Sequence, residues 1–280
     1  MNHNSKILSQ LLETAKKNGA YGADAVFFET TNISISQRLG KPEGIERSEN
    51  SAVGLRVFVK QNNGEIGQAN VSATDMGKDS LLELAQRAVA MAKLAPADSD
   101  AVLASADLFP KTILDLDMLN ADEPTQAWLL EQCALAENTA RSVAGITNSE
   151  GADASYSRSR IYLATSNGFA GNYDNSYFST SVSVLAGEGT NMERDYDFTS
   201  ARHRADLKSP QEIGLSAANR AIKRLNPRKV ASCQAPVIFD PRVSKSLVSI
   251  LTSSISGSSI ARGASFLKDS LNSQIFAKKI

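Results

Sequence analysis

Two groups of segments in this chain alternate between apolar and polar residues, and this alternation restricts the fold more than any other feature. The first group runs through ADAVFFETTNISISQRL, SAVGLRVFVK and EIGQANVS, and Asn63-Gly64 separates the last two segments. Alternation rich in Val, Ile, Thr and Phe is typical of strands with one buried face, and an Asn-Gly pair is typical of a tight hairpin. These segments therefore predict at least three antiparallel strands.

The second group lies in the middle of the chain and is rich in Tyr, Val, Thr and Ser. It comprises GITNSEGADASYSRSR, IYLATSNGFAGNYDNS and YFSTSVSVLAGEG, with turns at Asn167-Gly168 and Gly187-Glu188-Gly189. This pattern predicts an antiparallel meander, in which cross-strand pairing accounts for the tyrosines. An edge of the meander either accepts an extended peptide as an added strand or simply faces water, and the sequence leaves both readings open.

Segments with helical periodicity flank both groups of strands. They are KILSQLLETAKK, GKDSLLELAQRAVAMAKLA, TQAWLLEQCALAENTARSV and SPQEIGLSAANRAIKRLNP, of which the third starts near Pro124 and the fourth has Ser209 as its N-cap and Pro227 as its stop. After them QAPVIFDP predicts a short buried strand, followed by a further helix. The expected class is α+β.

The same pass along the chain predicts three domains. Residues 1–95 form an N-terminal domain of helices and antiparallel sheet, and residues 124–230 form a middle domain in which helices flank the meander. Residues 96–123, rich in Pro, Asp, Ser and Ala, form a linker wrapped along the surface. Residues 231–280 begin a third, β-rich domain that is incomplete.

Composition excludes several classes of function. Lys+Arg and Asp+Glu both total 30, so the formal net charge is zero and no global field attracts nucleic acid or anionic membranes. No signal peptide is visible and no apolar run approaches the roughly 20 residues that span a bilayer. We therefore expect a cytoplasmic protein that does not contact membranes or bind nucleic acid directly. Its two cysteines, Cys133 and Cys233, are predicted to be buried.

The histidine count limits the available chemistry further. Only His3 and His203 are present, so this chain alone has no HExxH motif and no histidine-rich metal site. A Ser-His-Asp triad would have to use His203. The basic run around His203, from Arg202 to Lys208, is interpreted as a solvated edge because acidic residues alternate with it.

A serine-rich stretch near the C-terminus, LVSILTSSISGSSIARGASF, raises the question of a nucleophile. Gly257-Ser258-Ser259-Ile260-Ala261 is close to a GxSxG elbow, but a helix rather than a strand is predicted before it. Ser265 to Lys268 matches SxxK, a pattern expected by chance in a chain with this much Ser and Lys. An independent serine hydrolase is therefore a remote hypothesis, which a fluorophosphonate probe would test.

The order of short motifs resembles that of the TldD/PmbA family over nearly all of the chain from about Ala23 onward. The motifs are SENSAVGLRVFVKQNNGEIGQANVSATD, TNSEG, YLATSNGFAG, SVSVLAGEG, YDFTSARH, RLNPRKV and APVIFDP. Members of the TldD branch carry a zinc-binding HExxxH motif in their third region. The PmbA branch, also called TldE, lacks this motif.

The resemblance places Val248, Ser249 and Ser253 at the His, Glu and His positions of HExxxH. Valine has no donor atom, and a serine hydroxyl neither binds zinc like imidazole nor acts as a base like carboxylate. The resemblance thus implies the PmbA/TldE branch, with no catalytic, cofactor-binding or metal residue in this chain and zinc only in a TldD-like partner. It also implies that the turn with Gly257, Arg262 and Gly263 lines a cavity or an interface.

The function implied by the resemblance is that of a non-catalytic subunit. It would join a TldD-like catalytic subunit in a heterodimeric metalloprotease that acts on unfolded or peptide substrates. The family's label as modulator of DNA gyrase implies an alternative, a regulatory or interaction protein related to gyrase or to toxin and antitoxin proteins. Family members continue through a substantial C-terminal domain, so we expect that residues 234–280 are the start of a truncated one.

Overall fold

The computed structural model describes residues 3–62, 64–98 and 100–278. It divides the chain into two compact units, residues 1–227 and residues 228–280. Asn63 of the predicted hairpin lies outside the described residues. Its neighbour Gly64 has a φ of 84°, a left-handed conformation that favours glycine.

In its described residues the first unit contains one antiparallel sheet and four α-helices, which confirms the predicted α+β class. Its strands are β1 (Gly22–Arg38), β2 (Lys41–Lys60), β3 (Ile66–Ala73), β4 (Ile146–Thr165), β5 (Ala170–Ala186) and β6 (Glu193–Ala201). Its helices are α1 (His3–Lys17), α2 (Lys78–Leu94), α3 (Gln126–Arg141) and α4 (Pro210–Arg224), with short 3₁₀ turns at Ala106–Leu108, Gly189–Asn191 and Arg204–Asp206. The strand order is β3-β2-β1-β4-β5-β6.

The two predicted groups of strands join in this single sheet. β1 pairs with β2 on one side and with β4 on the other, so that Val26 lies opposite both Gly54 and Leu163. The boundaries predicted for the first two domains remain predictions. In the structure, backbone hydrogen bonds join β1 of the predicted N-terminal domain directly to β4 of the predicted middle domain.

All four helices cover the same face of the sheet, where they form two separate cores. Ala25 and Phe27 of β1 belong to the core beneath α1 and α2, and Ile33 and Ile35 belong to the core beneath α3 and α4. All four side chains occupy odd positions of one strand, and odd positions share a face.

A polar belt crosses the sheet between the two cores. Arg158 and Arg160 of β4 both contact Asp174 of β5, at 2.9 and 3.1 Å, and Arg160 lies 3.9 Å from Glu29 of β1. Because these side chains are partly exposed, such pairs contribute only about 0–1 kcal/mol each. The main effect of the belt is therefore to separate the two apolar cores, and it adds little to the stability of the sheet.

The predicted linker lies along the surface and touches two strand edges. The Asp98 amide donates to the Ile66 carbonyl at 2.9 Å, and Ala97 forms an antiparallel bridge with Gly67. Further on, the Ser176 amide donates to the Met118 carbonyl at 2.9 Å. These bonds explain how a largely irregular segment is held against the sheet.

The second unit contains α5 (Pro241–Ser254) and the short α6 (Gly257–Ala261). The strand predicted over 234–241 is wrong, because residues up to Asp240 have no regular structure and Ile238 is 96% exposed. A strand needs a neighbour to satisfy its backbone groups. Within the described part of this unit no second strand is available to pair with it.

Candidate functional site

The helix that carries the motif positions, α5, begins at a well-formed cap. The Asp240 side chain accepts a hydrogen bond from the Arg242 amide at 2.9 Å, and Pro241 occupies the first helical position. Both features are typical of helix starts. Apolar residues recur along one stripe of the helix, at Val243, Leu247 and Ile250, yet each of them is about half exposed.

The structure places Val248, Ser249 and Ser253 together on α5, as predicted for a helical motif. Val248 is 63% exposed, and both serines are exposed. The Ser249 hydroxyl donates to the Lys245 carbonyl at 3.2 Å, one turn earlier in the helix. None of the three side chains carries a group that binds zinc in proteins.

The predicted glycine-bounded turn contains α6. Gly257 is the first residue of this helix, and the Arg262 side chain donates to the Ser258 carbonyl at 3.2 Å. Gly263 has a φ of 67°, which explains why a glycine stands there. A role for Gly257, Arg262 and Gly263 in a cavity or interface stays a prediction.

The serines of this region are used in local backbone hydrogen bonds. The Ser265 hydroxyl donates to the Ser254 carbonyl at 2.6 Å and accepts from the Leu267 amide at 3.0 Å. Ser254 in turn donates to the Ile250 carbonyl at 2.7 Å. The SxxK match is thus a turn held by Ser265, and α5 rather than a strand precedes the serine of the near-GxSxG sequence, as predicted.

His203 and the basic run around it hold the end of the sheet together. His203 Nε2 donates to the Asp117 carbonyl at 2.6 Å, and the Ser176 hydroxyl donates to the Arg202 carbonyl at 2.8 Å. The Arg204 guanidinium lies 4.3 Å from the centre of the Trp128 ring. These contacts give the run a structural role, which agrees with its interpretation as an ordinary edge.

One of the two predictions for the cysteines is wrong. Cys133 is fully buried on the inner face of α3, as predicted, but Cys233 is exposed. Cys233 lies in the segment without regular structure before α5, and every residue from 228 to 240 is exposed.

A buried carboxylate in the first unit was missed by the sequence analysis. Glu137 of α3 has no exposed surface, and it accepts hydrogen bonds from the Leu39 amide at 2.7 Å and the Gly40 amide at 3.0 Å. Burial alone would raise the pKa of Glu137, but bonds from Ser149, the Gly40 and Leu39 amides and Gln37 hold it below its ordinary value. One feature of the sequence could have indicated this burial. Glu137 stands four residues after Cys133, so the two side chains lie on the same face of α3.

No metal centre is evident in residues 3–62, 64–98 and 100–278, where no three His, Cys, Asp or Glu side chains cluster as metal ligands would. A cavity of about 250 Å³ lies where α1 ends, between Tyr21, Phe58 and Leu103. Residues 3–227 alone line it, so it contains none of the predicted motif positions.

Three family models match consecutive parts of the chain. Residues 23–92 match domain 1 of the PmbA/TldA metallopeptidases, residues 120–225 match the central domain, and residues 232–280 match the C-terminal domain. The chain belongs to the PmbA/TldA metallopeptidase family. The resemblance to the TldD/PmbA family is thereby confirmed, and the C-terminal match includes all of α5 and α6.

Curated relatives within the family carry the PmbA name. The chain is 32% identical over 274 residues to metalloprotease PmbA of Escherichia coli O157:H7, covering 96% of this chain and 60% of that protein. It is also 32% identical to a PmbA homologue of Haemophilus influenzae, covering 96% and 58%. The chain therefore spans about three fifths of the length of these relatives.

Solved structures show the same fold. A protein of Bacteroides thetaiotaomicron named as a modulator of DNA gyrase superposes with a TM-score of 0.86 at 24% identity, covering 98% of this chain and 62% of its own. TldE from Thermococcus kodakarensis superposes with a TM-score of 0.63 at 16% identity, covering 77% of this chain and 47% of its own.

None of the helices in the described ranges combines the length and the apolarity of a transmembrane span.

Proposed function

We propose that this chain is a PmbA/TldE-like subunit that has no metal site of its own and works with a TldD-like zinc subunit in a cytoplasmic heterodimer. The pair would process unfolded or peptide substrates. The observation that carries the proposal is the identity of the residues at the motif positions on α5, Val248, Ser249 and Ser253.

The chemistry at these positions does not fit a zinc ion. Zinc in proteins is bound by Cys, His, Asp or Glu, and the water that it activates is deprotonated by a general base. Valine and serine supply neither function. The residues present on α5 therefore cannot close a metal site by themselves.

The family relationship supports the remaining part of the proposal. The curated relatives are called PmbA, and one solved structure with the same fold is called TldE. The chain covers about three fifths of those relatives, and we extend to it the partner, the substrate class and the activity that the resemblance implies.

Metal analysis combined with reconstitution tests this function. We expect the purified chain to retain no stoichiometric zinc after dialysis and to cleave no unfolded protein. When it is mixed with a TldD-like chain, we expect the two to co-purify, with one zinc bound in the TldD-like chain and cleavage of an unfolded substrate. Stoichiometric zinc in the isolated chain, or cleavage by it alone, would overturn the proposal.

Serine variants separate a non-catalytic subunit from a serine hydrolase. We expect S249A/S253A to leave cleavage by the reconstituted pair unchanged, like the control S246A/T252A on the same helix. We also expect no labelling of the chain by a fluorophosphonate. Loss of cleavage in the first variant alone, together with labelling of the wild type, would favour a serine nucleophile.

A second candidate is a regulatory protein without catalysis of its own. The observation that favours it is that two solved structures with this fold, from Bacteroides thetaiotaomicron and Thermotoga maritima, are named as modulators of DNA gyrase. The zero net charge argues against direct contact with DNA. Salt-dependent binding of the isolated chain to duplex DNA would favour this candidate over the metalloprotease subunit.

A further inference from the structure

A cavity with walls from five distant segments lies at the end of the sheet where β1 starts. Its volume is about 250 Å³, and its lining comes from the end of α1, the start of β1, the end of β2, the linker and the turn between β4 and β5. No residue of α5 lines it. The function proposed for the motif positions on α5 therefore leaves this cavity without a role.

Hydrogen bonds between the segments hold the walls of the cavity in place. The Tyr21 amide donates to the Phe58 carbonyl at 2.7 Å, which joins the start of β1 to β2. The Asn167 side chain donates to the Ala104 carbonyl at 2.8 Å, which joins the turn between β4 and β5 to the linker. Sites for small molecules are usually largely formed before the ligand binds. The cavity meets this condition.

The inner wall of the cavity is apolar. Phe58 and Ala23 each keep only 1% of their surface exposed. A Cβ added at Gly22 would lie 3.2 Å from Leu103 and 3.6 Å from Phe58, so the two side chains close over this glycine. Walls of this kind favour a ligand with an apolar body, because binding removes its apolar surface from water.

The volume of the cavity limits the size of the ligand. A dry cavity of roughly 150 Å³ accepts one benzene molecule, which corresponds to roughly 25 Å³ for each of the six carbons. At this density, 250 Å³ holds about ten non-hydrogen atoms. An aromatic ring with a side group of about four atoms has this size.

The charged groups at the cavity are cationic. Lys16 is part of the lining, and the Lys60 ammonium lies 4.2 Å from the centre of the Tyr21 ring, which is also part of the lining. Both lysines are exposed, and neither forms an ion pair with another described residue. The described lining contains no Asp or Glu. An anionic group is therefore favoured there.

Two nearby features that would repel an anion are neutralised. The Asp24 carboxylate, next to the cavity in β1, accepts from Arg56 Nε at 2.9 Å. The C-terminal end of α1 carries a partial negative charge. The Gly19 and Ala20 amides donate to carbonyls of this helix end at 3.0 Å each, and its last turn carries two lysines.

Ser166 supplies a hydrogen-bond donor with a fixed position. Its hydroxyl oxygen accepts from the Ala23 amide at 2.9 Å, which holds the oxygen at the cavity wall. A serine hydroxyl also has one proton to donate, and no acceptor among the described residues receives it. This proton is available to an oxygen atom of a ligand.

We propose that this cavity binds a small aromatic carboxylate, of which phenylacetate, with its ten non-hydrogen atoms, is the model. The ring lies against Phe58 and Leu103, and the carboxylate faces Lys16 and accepts a hydrogen bond from the Ser166 hydroxyl. Hydrogen bonds to an ionised acceptor are stronger than neutral ones, so the charge distinguishes this ligand from a neutral ring. The inference concerns residues 3–227 and does not depend on the function proposed for α5.

Titration of the full chain with three ligands of similar size tests the class of ligand. Two-dimensional NMR of the labelled chain follows phenylacetate, neutral phenylacetamide and cationic phenethylamine. We expect phenylacetate to shift the amide signals of the cavity lining in a saturable way, and to bind at least about fivefold more tightly than either of the others. No saturable shift with phenylacetate, or equal affinity for the neutral or cationic ligand, overturns the proposal.

A charge reversal at the cavity tests the role of Lys16. We expect K16E to weaken phenylacetate binding about tenfold and to leave phenylacetamide binding unchanged, with the same thermal melt as the wild type. The matched control is K17E, which makes the same change of charge at a neighbouring exposed residue outside the lining. At physiological salt K17E should stay within about twofold of the wild type. Equal weakening by both variants overturns the proposal.

A larger ligand separates binding in the cavity from adsorption to exposed apolar surface. Biphenyl-4-acetate has six further carbons and at the same density requires roughly 400 Å³. We expect it to bind no more tightly than phenylacetate. Adsorption would instead strengthen with the added ring, because more apolar area leaves water. A tenfold gain in affinity without shifts of the lining amides would rule out a defined cavity site.

Discussion

Residues 3–227 and residues 228–278 distribute their apolar side chains in opposite ways. In the first region Leu129, Phe178 and Ile213 are completely buried. In the second region Leu247 is 49% exposed and Phe266 is 74% exposed, while the buried residues are Ser254 and Ser265. The first region therefore has a core of its own. The helices of the second are held by caps and local hydrogen bonds.

This difference shows what fixes the relative positions of the residues in the candidate site. Val248, Ser249 and Ser253 are fixed relative to one another by the backbone of α5, and not by packing against a core within residues 228–278. Helices of this length are marginal in isolation, since most helical stability comes from tertiary packing. Three predictions test the contrast, and each compares a residue of one region with a control.

The two thiols should give the largest contrast. Burial, followed by the negative charges of Asp153 and Glu137, raises the pKa of Cys133 to about 12. Relative to an ordinary thiol, this lowers the fraction of reactive thiolate at neutral pH by about a thousandfold. We expect iodoacetamide to modify only exposed Cys233 in the native protein, and both thiols in denaturant, as measured by mass spectrometry. If iodoacetamide modified Cys133 and Cys233 at comparable rates in the native protein, the predicted difference between the two thiols would be wrong.

A matched pair of leucine truncations measures the difference in burial directly. L129A removes a completely buried side chain and should lower the free energy of unfolding by about 3 kcal/mol. L247A removes a half-exposed one and should lower it by less than about 1 kcal/mol. Urea denaturation followed by circular dichroism checks both values. Equal losses would mean that α5 is buried against something in solution.

Glu137 should give a smaller, pH-dependent effect. E137Q leaves backbone donors at Leu39 and Gly40 poorly paired, which should cost about 2 kcal/mol at pH 7. The folded pKa of Glu137 lies below its ordinary value, so its stabilisation is complete above the unfolded pKa of about 4.3 and is lost as pH falls through the folded pKa. The difference between wild type and E137Q should therefore shrink in acid.

The control for this prediction is on the same helix. Glu131 is exposed, so E131Q should stay within about 0.5 kcal/mol of the wild type at both pH values. Thermal melts at pH 7 and pH 3.5 measure both variants. A constant gap between E137Q and wild type would show that the charge of Glu137 is not what stabilises the turn at Leu39 and Gly40.

Several local features could be predicted from the sequence because they depend on near neighbours. Ser209 caps α4 as predicted, and with Glu212 it forms a reciprocal capping box. The alternation in β1 and in β4 correctly assigned the strands, and the identities of Val248, Ser249 and Ser253 decided that they offer no zinc ligands. Capping, alternation and donor chemistry are properties of a few consecutive residues.

Other features required the tertiary structure because they depend on residues far apart in the chain. Pairing of β1 with β4 joins positions more than a hundred residues apart, such as Val26 and Leu163, into one sheet. The burial of Glu137 depends on a turn 97 residues earlier, at Gly40. The strand predicted at 234–241 failed for the same reason, since a local β pattern needs a partner strand.

The sequence by itself thus determined the family, the types of the main elements and the absence of zinc-binding side chains on α5. Only the tertiary structure decided that one continuous sheet carries both groups of strands, and that five distant segments form a cavity at its end. The reason is physical. Side-chain chemistry and helix caps are local, whereas strand neighbours, cavity walls and the burial of a charge are set by contacts between distant parts of the chain.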